Sequence, residues 1–425
     1  MKRRASAHRP PRILRTLLSR SALKKLLLLL FVWNILEAHI IYYRIVRTEH
    51  EAVQRALATI ENRKPTRVFI ASLHWNNEKI LRSDWNSAVL DLVNTLGADN
   101  VFVSVYESGS WDDSKGALRE LDAALEKTGV QKKIVLDEAT HQDLLAGPPE
   151  KEGWITTPKG ERTLRRIPYL SKLRNLSLQP LLELAQNGTG FDHVLFLGDV
   201  VFTVQDVITL LDTNGGRYAA ACSLDFSKPP SFYDTFALRD ASGHEHVSQT
   251  WPYFRSGKSR QALLRGQAVP VRSCWNGIVS MPASVFTSQE GGIQFRGVED
   301  SLAEKHLEGS ECCLIHADNP LSKTRGVFLN ANVRVGYSRK AYEGVHPRGG
   351  GSWLGLKQIW WGIWKNRAGR WLTSPWLKER MVRGRVRKWV DEGKQGREET
   401  RREEKGEFCL INEMQVVVHN GWAHL

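Results

Sequence analysis

A chain of 425 residues, 41% of them hydrophobic, can hold one large domain or two ordinary ones with ample core. Its net charge of +14 suggests a nucleic-acid partner, but the surplus sits at the ends: nine Lys/Arg and no acid in 1–25, and fifteen Lys/Arg against seven acids in 349–405. The remaining body is close to neutral, which excludes the basic working face of a nucleic-acid enzyme.

After Lys24-Lys25, an apolar run from Leu26 to Leu36 continues through Ile40-Ile41-Tyr42-Tyr43. Counted to Tyr43 it just reaches the length needed to cross a bilayer. The positive flank lies on its N-terminal side, predicting a cytoplasmic N-terminus and a translocated body. No small-residue cleavage site follows, so the segment reads as an uncleaved signal-anchor, the other reading being an amphipathic helix lying on a membrane. The expected organisation is a basic tail over 1–25, an anchor over 26–43 and a charged stem over 44–64.

From Pro65 the pattern alternates. Strands are predicted at Arg67–Leu73, Val101–Tyr106 and Lys133–Leu136, with helices at about Ser83–Leu96 and Lys115–Lys127 between them. This order signals a parallel sheet with right-handed crossovers. No Gly-x-Gly-x-x-Gly follows the first strand, which weakens a dehydrogenase reading, and no P-loop is present. Arg166–Asn175 opens a helix carried on through Leu184. Arg166, Lys172 and Arg174 near its start form either an anion site or a solvated basic face.

The unbroken run Val194–Leu197 reads as a strand buried on both faces, ending at Gly198-Asp199. A carboxylate at the carboxyl end of such a strand lies where open α/β sheets place ligands, although a turn cap would look the same. Tyr218–Phe226 is a further strand, closing on Asp225. Arg272–Met281 looks like a strand preceded by a binding loop. Glu299-Asp300 opens a helix, and Glu311–Asp318 reads as a strand ending in His316-Ala-Asp318. Several strand-end carboxylates on one sheet would converge into a site.

The five cysteines (222, 274, 312, 313 and 409) lack metal-like spacing. Cys312-Cys313 read as packing residues in an apolar strand, and a lumenal body would allow one or two disulfides with one cysteine left over. Of the two sequons, Asn175-Leu-Ser177 and Asn187-Gly-Thr189, the second lies in a Gly-rich loop and is the better acceptor. In 349–405, seven tryptophans from Trp353 to Trp389 are interleaved with Lys/Arg. Trp361, Trp364 and Lys365 share a helical face, favouring core packing over a lipid-facing or sugar-stacking surface. Glu392–Lys405 reads as a charged, solvated helix or loop.

The order of motifs resembles the fungal capsule-associated α-1,3-mannosyltransferase family, known from cryptococcal capsule synthesis. The resemblance runs from about Arg67 to His346 and resumes over Phe408–Leu425. It is carried by Phe69-Ile70-Ala71 with Asn76-Asn77-Glu78, Val103–Asp112, Arg166–Leu170 with Leu173-Arg174-Asn175, Phe196–Phe202 and Cys274-Trp275-Asn276-Gly277. Asn412–Val416 and Asn420-Gly421-Trp422 also fit.

The resemblance implies a GT-A-like fold, a mainly parallel sheet flanked by helices, on a Golgi type II membrane anchor. Residues 65–348 would form the catalytic domain, followed by the Trp-rich region 349–405 and a C-terminal strand segment, 406–425, packing on that domain. The implied reaction moves mannose from GDP-mannose to a glycan acceptor in α-1,3 linkage with retention, using Mn²⁺ or Mg²⁺. The implied partners are a glycan or glycoconjugate acceptor, the membrane and other glycosyltransferases, with no nucleic acid.

Asp199 is the expected metal ligand with His316, or Asp318 if the imidazole points into the core. Donor contacts are expected from Asn76, Glu78, Glu107, Arg174, Asn175, Asp199, Trp275 and Asn276. Asp225, Glu299 and Asp300 are the catalytic candidates beside the developing positive charge at the sugar. The chain departs from the family at Gly198, where asparagine is usual, and has Val201 where many GT-A enzymes carry a second aspartate. Those departures motivate one alternative, an inactive donor-binding or scaffolding homologue. A transferase using another nucleotide sugar and a binding protein acting through the Trp-rich region are the others.

Overall fold

The computed structural model describes residues 20–61, 65–156, 160–288, 291–347, 351–394 and 402–424. Most of the expected basic tail (1–19) and part of the charged segment 392–405 (395–401) lie outside the described residues.

The described residues begin with helix α1 (Arg20–Glu61) and strand β1 (Val68–His74). Next come α2 (Asn86–Leu96), β2 (Val101–Ser108), α3 (Ser114–Glu126), β3 (Gln131–Asp137) and α4 (His141–Ala146). A small hairpin, β4 (Trp154–Thr156) and β5 (Arg162–Leu164), leads into α5 (Arg166–Gln186) and β6 (His193–Leu197). Then follow α6 (Val204–Leu211), β7 (Ala220–Lys228), β8 (Ser231–Phe232), β9 (Arg239–Asp240), α7 (Gly257–Leu264), β10 (Val269–Ser273) and β11 (Ile278–Pro282). The rest comprises α8 (Asp300–Ala303), β12 (Glu308–Gly309), α9 (Glu311–Asp318), β13 (Val327–Gly336), α10 (Arg339–Val345), α11 (Leu356–Leu372) and α12 (Trp376–Lys394). Strand β14 (Leu410–Ile411) and the hairpin β15 (Gln415–Val418) and β16 (Gly421–His424) close it.

The central sheet runs β3-β2-β1-β6-β11-β7-β13-β10-β9, with β8 attached to β7. Strands β3, β2, β1 and β6 are parallel, as are β7 and β13; β11 enters antiparallel between β6 and β7. The alternation of side chains explains the unbroken apolar runs. Phe69, Ala71, Val194 and Phe196 join the core on one face, while Val68, Ile70, Leu195 and Leu197 join the core on the other. Helix α5 covers the first face with Leu178 and Leu181; α2, α3 and α6 cover the second.

Three expectations change. Glu311–Asp318 is a helix, because the Ser310 hydroxyl caps it by accepting from the Cys312 amide at 3.2 Å. Cys313 is bonded to Cys409 and Cys222 to Cys274, leaving Cys312 as the buried free thiol, so Cys313 crosslinks rather than merely packs. Finally, α1 runs without a break through the expected stem and lies on the body. Ala38, Ile41, Thr48, Ala52 and Ala56 are buried, and Glu49 pairs with Arg334 at 3.2 Å. The apolar start of α1 stays exposed from Leu26 to Leu36 apart from half-buried Asn34, and the helix is long and apolar enough to cross a membrane.

Candidate active site

The parallel half of the sheet sends the ends of β1, β2 and β6 to one edge, and there the chain must make close approaches. Gly198 donates its amide to the Gly277 carbonyl at 2.9 Å, and a Cβ on Gly198 would stand 2.7 Å from that oxygen. The departure from asparagine is therefore a steric requirement of this chain. Trp85, fully buried in a π-helical turn, donates its indole N–H to the Gly198 carbonyl at 3.0 Å and fixes the other side of the peptide. Val201 is buried and bridged to Gly336, so a carboxylate at that position would point into the core.

Asp199 projects half-buried from this edge. Its Oδ2 accepts from the Asn77 amide at 3.0 Å, and Asn77 is itself oriented by the Trp75 amide donating to its Oδ1 at 3.0 Å. Burial pushes the Asp199 carboxyl up to about 6, against its own backbone N–H, the Asn77 bond and the Arg174 charge. Two further carboxylates gather nearby. Asp225, at the end of β7, accepts from Asn276 Nδ2 at 2.9 Å and from the Tyr337 hydroxyl at 3.0 Å. Asp234 presents its amide to Asp225 at 3.2 Å. Burial, then the charges of Asp225, Asp199 and Asp234, hold the Tyr337 hydroxyl well above its ordinary range.

The cationic side comes from α5. Arg174 lies over the Trp275 ring at 4.7 Å and donates Nε to Glu311 at 3.0 Å. Glu311 stays below the usual carboxylate range: burial raises it, but the charges of Arg174 and Arg166 outweigh burial. Arg166 lies over Trp422 at 4.4 Å, held there by the C-terminal hairpin, which bridges to Arg165 through Val416. Elsewhere along α5 a cleft of about 1570 Å³ is lined by Pro168, Asn175, Gln179, Arg296 and Asp318. It contains none of the Asp199 cluster; Glu299 and Asp300 also line it, and its charges are paired among themselves, Arg296 with Asp318 and Glu404 and Arg165 with Asp300.

The other candidates fall as follows. Asn76, with φ 53°, ties the β1 loop to the β2 loop by accepting from the Trp111 amide at 2.8 Å. Glu78 joins the same clamp by accepting from the Asp113 amide at 3.2 Å, and buried Glu107 sits 4.0 Å from Lys115. Asn175 pins the backbone of Phe295, accepting at 2.9 Å and donating at 2.8 Å, so its amide is engaged. Glu299 is exposed at the start of α8, while Asp300 accepts from buried Arg165 at 2.6 Å and from the Gly153 amide at 2.9 Å. The structure gives that pair to a helix start and an ion network rather than to the strand edge.

His316 and Asp318 are likewise not brought to Asp199. His316 is sealed in the core, its Nε2 donating to the Cys274 carbonyl at 2.7 Å, and burial lowers it to about 4. It lies beside the Cys222–Cys274 sulfurs, which are joined to each other and cannot ligate. Asp318 accepts from Arg296 at 2.7 and 3.1 Å. In their place the fold supplies Asp234, Glu311, Tyr337 and Asn77. Of these only Asn77 carried a local signal, inside the first loop motif; Asp234 stands in a turn-like stretch and Glu311 in one that reads as a strand.

The oxygen chemistry suits a hard divalent cation, although among the described residues these carboxylates do not close into one ligand group. Three carboxylates crowd one hydroxyl, and burial holds each above its usual range with only Arg174 and Arg166 as counter-charges. Asn276 Oδ1, fully buried beside Asp225, has no hydrogen-bond partner.

The family model described as cryptococcal mannosyltransferase 1 matches residues 67–318. No curated protein sequence matches the chain. Among solved structures, it is similar to the mannosyltransferase PcManGT from Pyrobaculum calidifontis in complex with GDP-Man and Mn²⁺, at 10% identity and TM-score 0.35, covering 86% of this chain and 88% of that one. It is also similar to S. aureus TarS in complex with UDP, at 11% identity and TM-score 0.33; the match covers 64% of this chain and spans 59% of the TarS chain. Likenesses this distant have no bearing on the chemistry.

Proposed function

We propose mannosyl transfer from GDP-mannose to a glycan hydroxyl as the reaction of this chain, which belongs to the cryptococcal mannosyltransferase 1 family and is a glycosyltransferase. The observation that supports the reading best is the Asp199 edge: a half-buried carboxylate oriented by Asn77, faced by Arg174 stacked on Trp275. Such a pairing of acid and guanidinium suits a sugar diphosphate and its counter-ion.

Asp199, with Asp234 and Asn276 Oδ1 as further oxygen donors, would hold Mn²⁺ or Mg²⁺. A bound divalent ion supplies charge neutralisation at the departing diphosphate. Arg174 makes no hydrogen bond through its Nη groups to described residues, so both remain for phosphate oxygens as the glycosidic bond breaks. Trp275 beneath it and Glu311 behind it set its plane. Asp225 holds Asn276 and Tyr337 in place. With retention, the departing phosphate oxygen takes the acceptor proton, and no general base is required. Exposed Trp111, near Trp75 at 5.4 Å, offers a ring face for the base at the far side of the β1 loop.

The linkage is read as α-1,3 and the fold as GT-A, on the family resemblance. Lys24-Lys25 before the exposed apolar start of α1 supports a type II anchor, with a lumenal body in the Golgi. Solubilised full-length protein should release GDP from GDP-mannose with Mn²⁺, and GDP with Mn²⁺ should raise its melting temperature. A melting temperature raised by GDP and Mn²⁺ with no GDP released from GDP-mannose would favour the inactive donor-binding alternative, and one unmoved by GDP the scaffolding alternative.

A further inference from the structure

The exposed apolar part of α1, Leu26–Leu36, rises only about 16 Å, roughly half of a 30 Å hydrocarbon layer. From Ala38 onward one face of the helix packs on the body, through Ala38, Ile41, Thr48, Ala52 and Ala56, while Ile40 and Tyr43 on the other stay exposed. Helix α11 meets α1 at that same level: the Trp364 indole donates to Asn34 Oδ1 at 2.5 Å, and Arg367 pairs with Glu37 at 2.6 Å. The elements that hold this level carry an unusual surface. Trp361 is 62% exposed, Trp371 68% and Leu372 83%, while Trp376 and Leu377 at the start of α12 are 51% and 71% exposed. This contradicts core packing for Trp361. Lys365, Lys378, Arg380 and Arg383 are interleaved with them and exposed.

We infer that this Trp/Leu face of α11 and α12 is a second membrane contact, seated in the headgroup layer of the leaflet from which α1 emerges. The inference rests on the reading of α1 as the anchor. Tryptophan rings prefer that layer because an apolar body and an N–H find their matching phases there. The basic residues between them can reach the headgroup phosphates that every leaflet carries. A patch this apolar left in water would be costly, and its continuity with α1 selects the bilayer over a soluble glycan. None of these tryptophans contacts the Asp199 cluster, so sugar stacking at the catalytic edge does not account for them.

The test uses the full chain in nanodiscs containing phosphatidylserine, with nitroxide labels at Leu372→Cys, Leu377→Cys, Leu29→Cys in α1 and Lys127→Cys beyond α3. Cys312 is buried and does not compete for label. Collision rates with oxygen, which concentrates in lipid, and with a water-soluble nickel chelate give a depth parameter for each site. The expected result is a positive value at 372, 377 and 29 and a negative one at 127. Labels at 372 and 377 that follow 127 while 29 stays positive would overturn the docking and leave the anchor standing. A negative value at 29 as well would remove the anchor reading and the docking with it. Labels at 372 and 377 shielded from both reagents would also overturn it, showing a protein partner on the face.

Discussion

Replacing Arg165 with methionine tests whether Asp300 and its neighbours are structural. Arg165 is fully buried, as is Glu308. Its Nη2 donates to both Glu308 oxygens at 2.8 and 3.0 Å, and its Nη1 donates to the Val298 carbonyl at 2.9 Å and to Asp300 at 2.6 Å. Even so paired, the Glu308 carboxyl is pushed up to about 7 because burial outweighs the Arg165 charge and bonds. Arg165→Met leaves that carboxyl with only the Gly309 amide at 3.3 Å. At pH 8, where Glu308 must ionise unpaired or hold its proton at a cost, the loss should be about 3–5 kcal/mol.

The pH dependence has a definite sign. The folded protein keeps the Glu308 proton at pH values where the unfolded chain, with its carboxyl near 4.5, has released it. Stability therefore falls as pH rises from there through the folded value, by up to about 1.4 kcal/mol per unit. In the wild type that fall ends near 7, whereas in Arg165→Met it continues further. At pH 5, with Glu308 protonated in both, the loss should shrink to about 1–3 kcal/mol for the missing hydrogen bonds. Adding Glu308→Gln to Arg165→Met should recover stability at pH 8. Urea melts of solubilised protein at the two pH values measure all of this. A loss equal at pH 5 and 8, or a double variant no better than the single, would refute the reasoning.

Four other outcomes follow from the same structure. Mn²⁺-dependent GDP binding, followed by calorimetry, should weaken as pH drops through about 6, where Asp199 takes up its proton. Glu311→Gln should cut kcat/KM by about tenfold or more while leaving the melting temperature within a few degrees, since it loosens Arg174 without opening a cavity. Gly198→Asn, although it restores the usual family residue, should destabilise by about 1–3 kcal/mol, read as a lower urea midpoint, because its Cβ meets the Gly277 carbonyl. Removing the Cys313–Cys409 bond as an alanine pair should cost about 4–5 kcal/mol by loop-closure entropy for a separation of 96 residues.

The parallel half of the sheet was legible because β1, β2 and β6 are buried on both faces, which leaves apolar runs that polar turns interrupt. Asp199 was legible for the same reason: it ends such a run. Arg174 stood out by its place near a helix start. Glu311 did not, because Cys312–Ile315 is a short apolar run, and an eight-residue helix buried from Glu311 to His316 shows no amphipathic period to distinguish it from a strand. That one ambiguity also misplaced His316 and Asp318. Glu299-Asp300 misled in the opposite direction, since an acidic helix start is common whatever lies opposite it, and only the fold reveals Arg165 there. Asp234 and Tyr337 reach the site from distant loops, and nothing local records that meeting.

The Cys222–Cys274 crosslink sits three residues before Asp225 and immediately before Trp275 and Asn276. It therefore clamps the two segments that set Arg174's platform and the Asn276 contact, within a sheet whose remaining pairings need no oxidation to form. Folding and competence can thus come apart. Chains that lack this bond alone can be largely folded while this corner of the site is unclamped. An assay that finds such material inactive would then be reporting the redox history of the sample rather than the capability of the sequence.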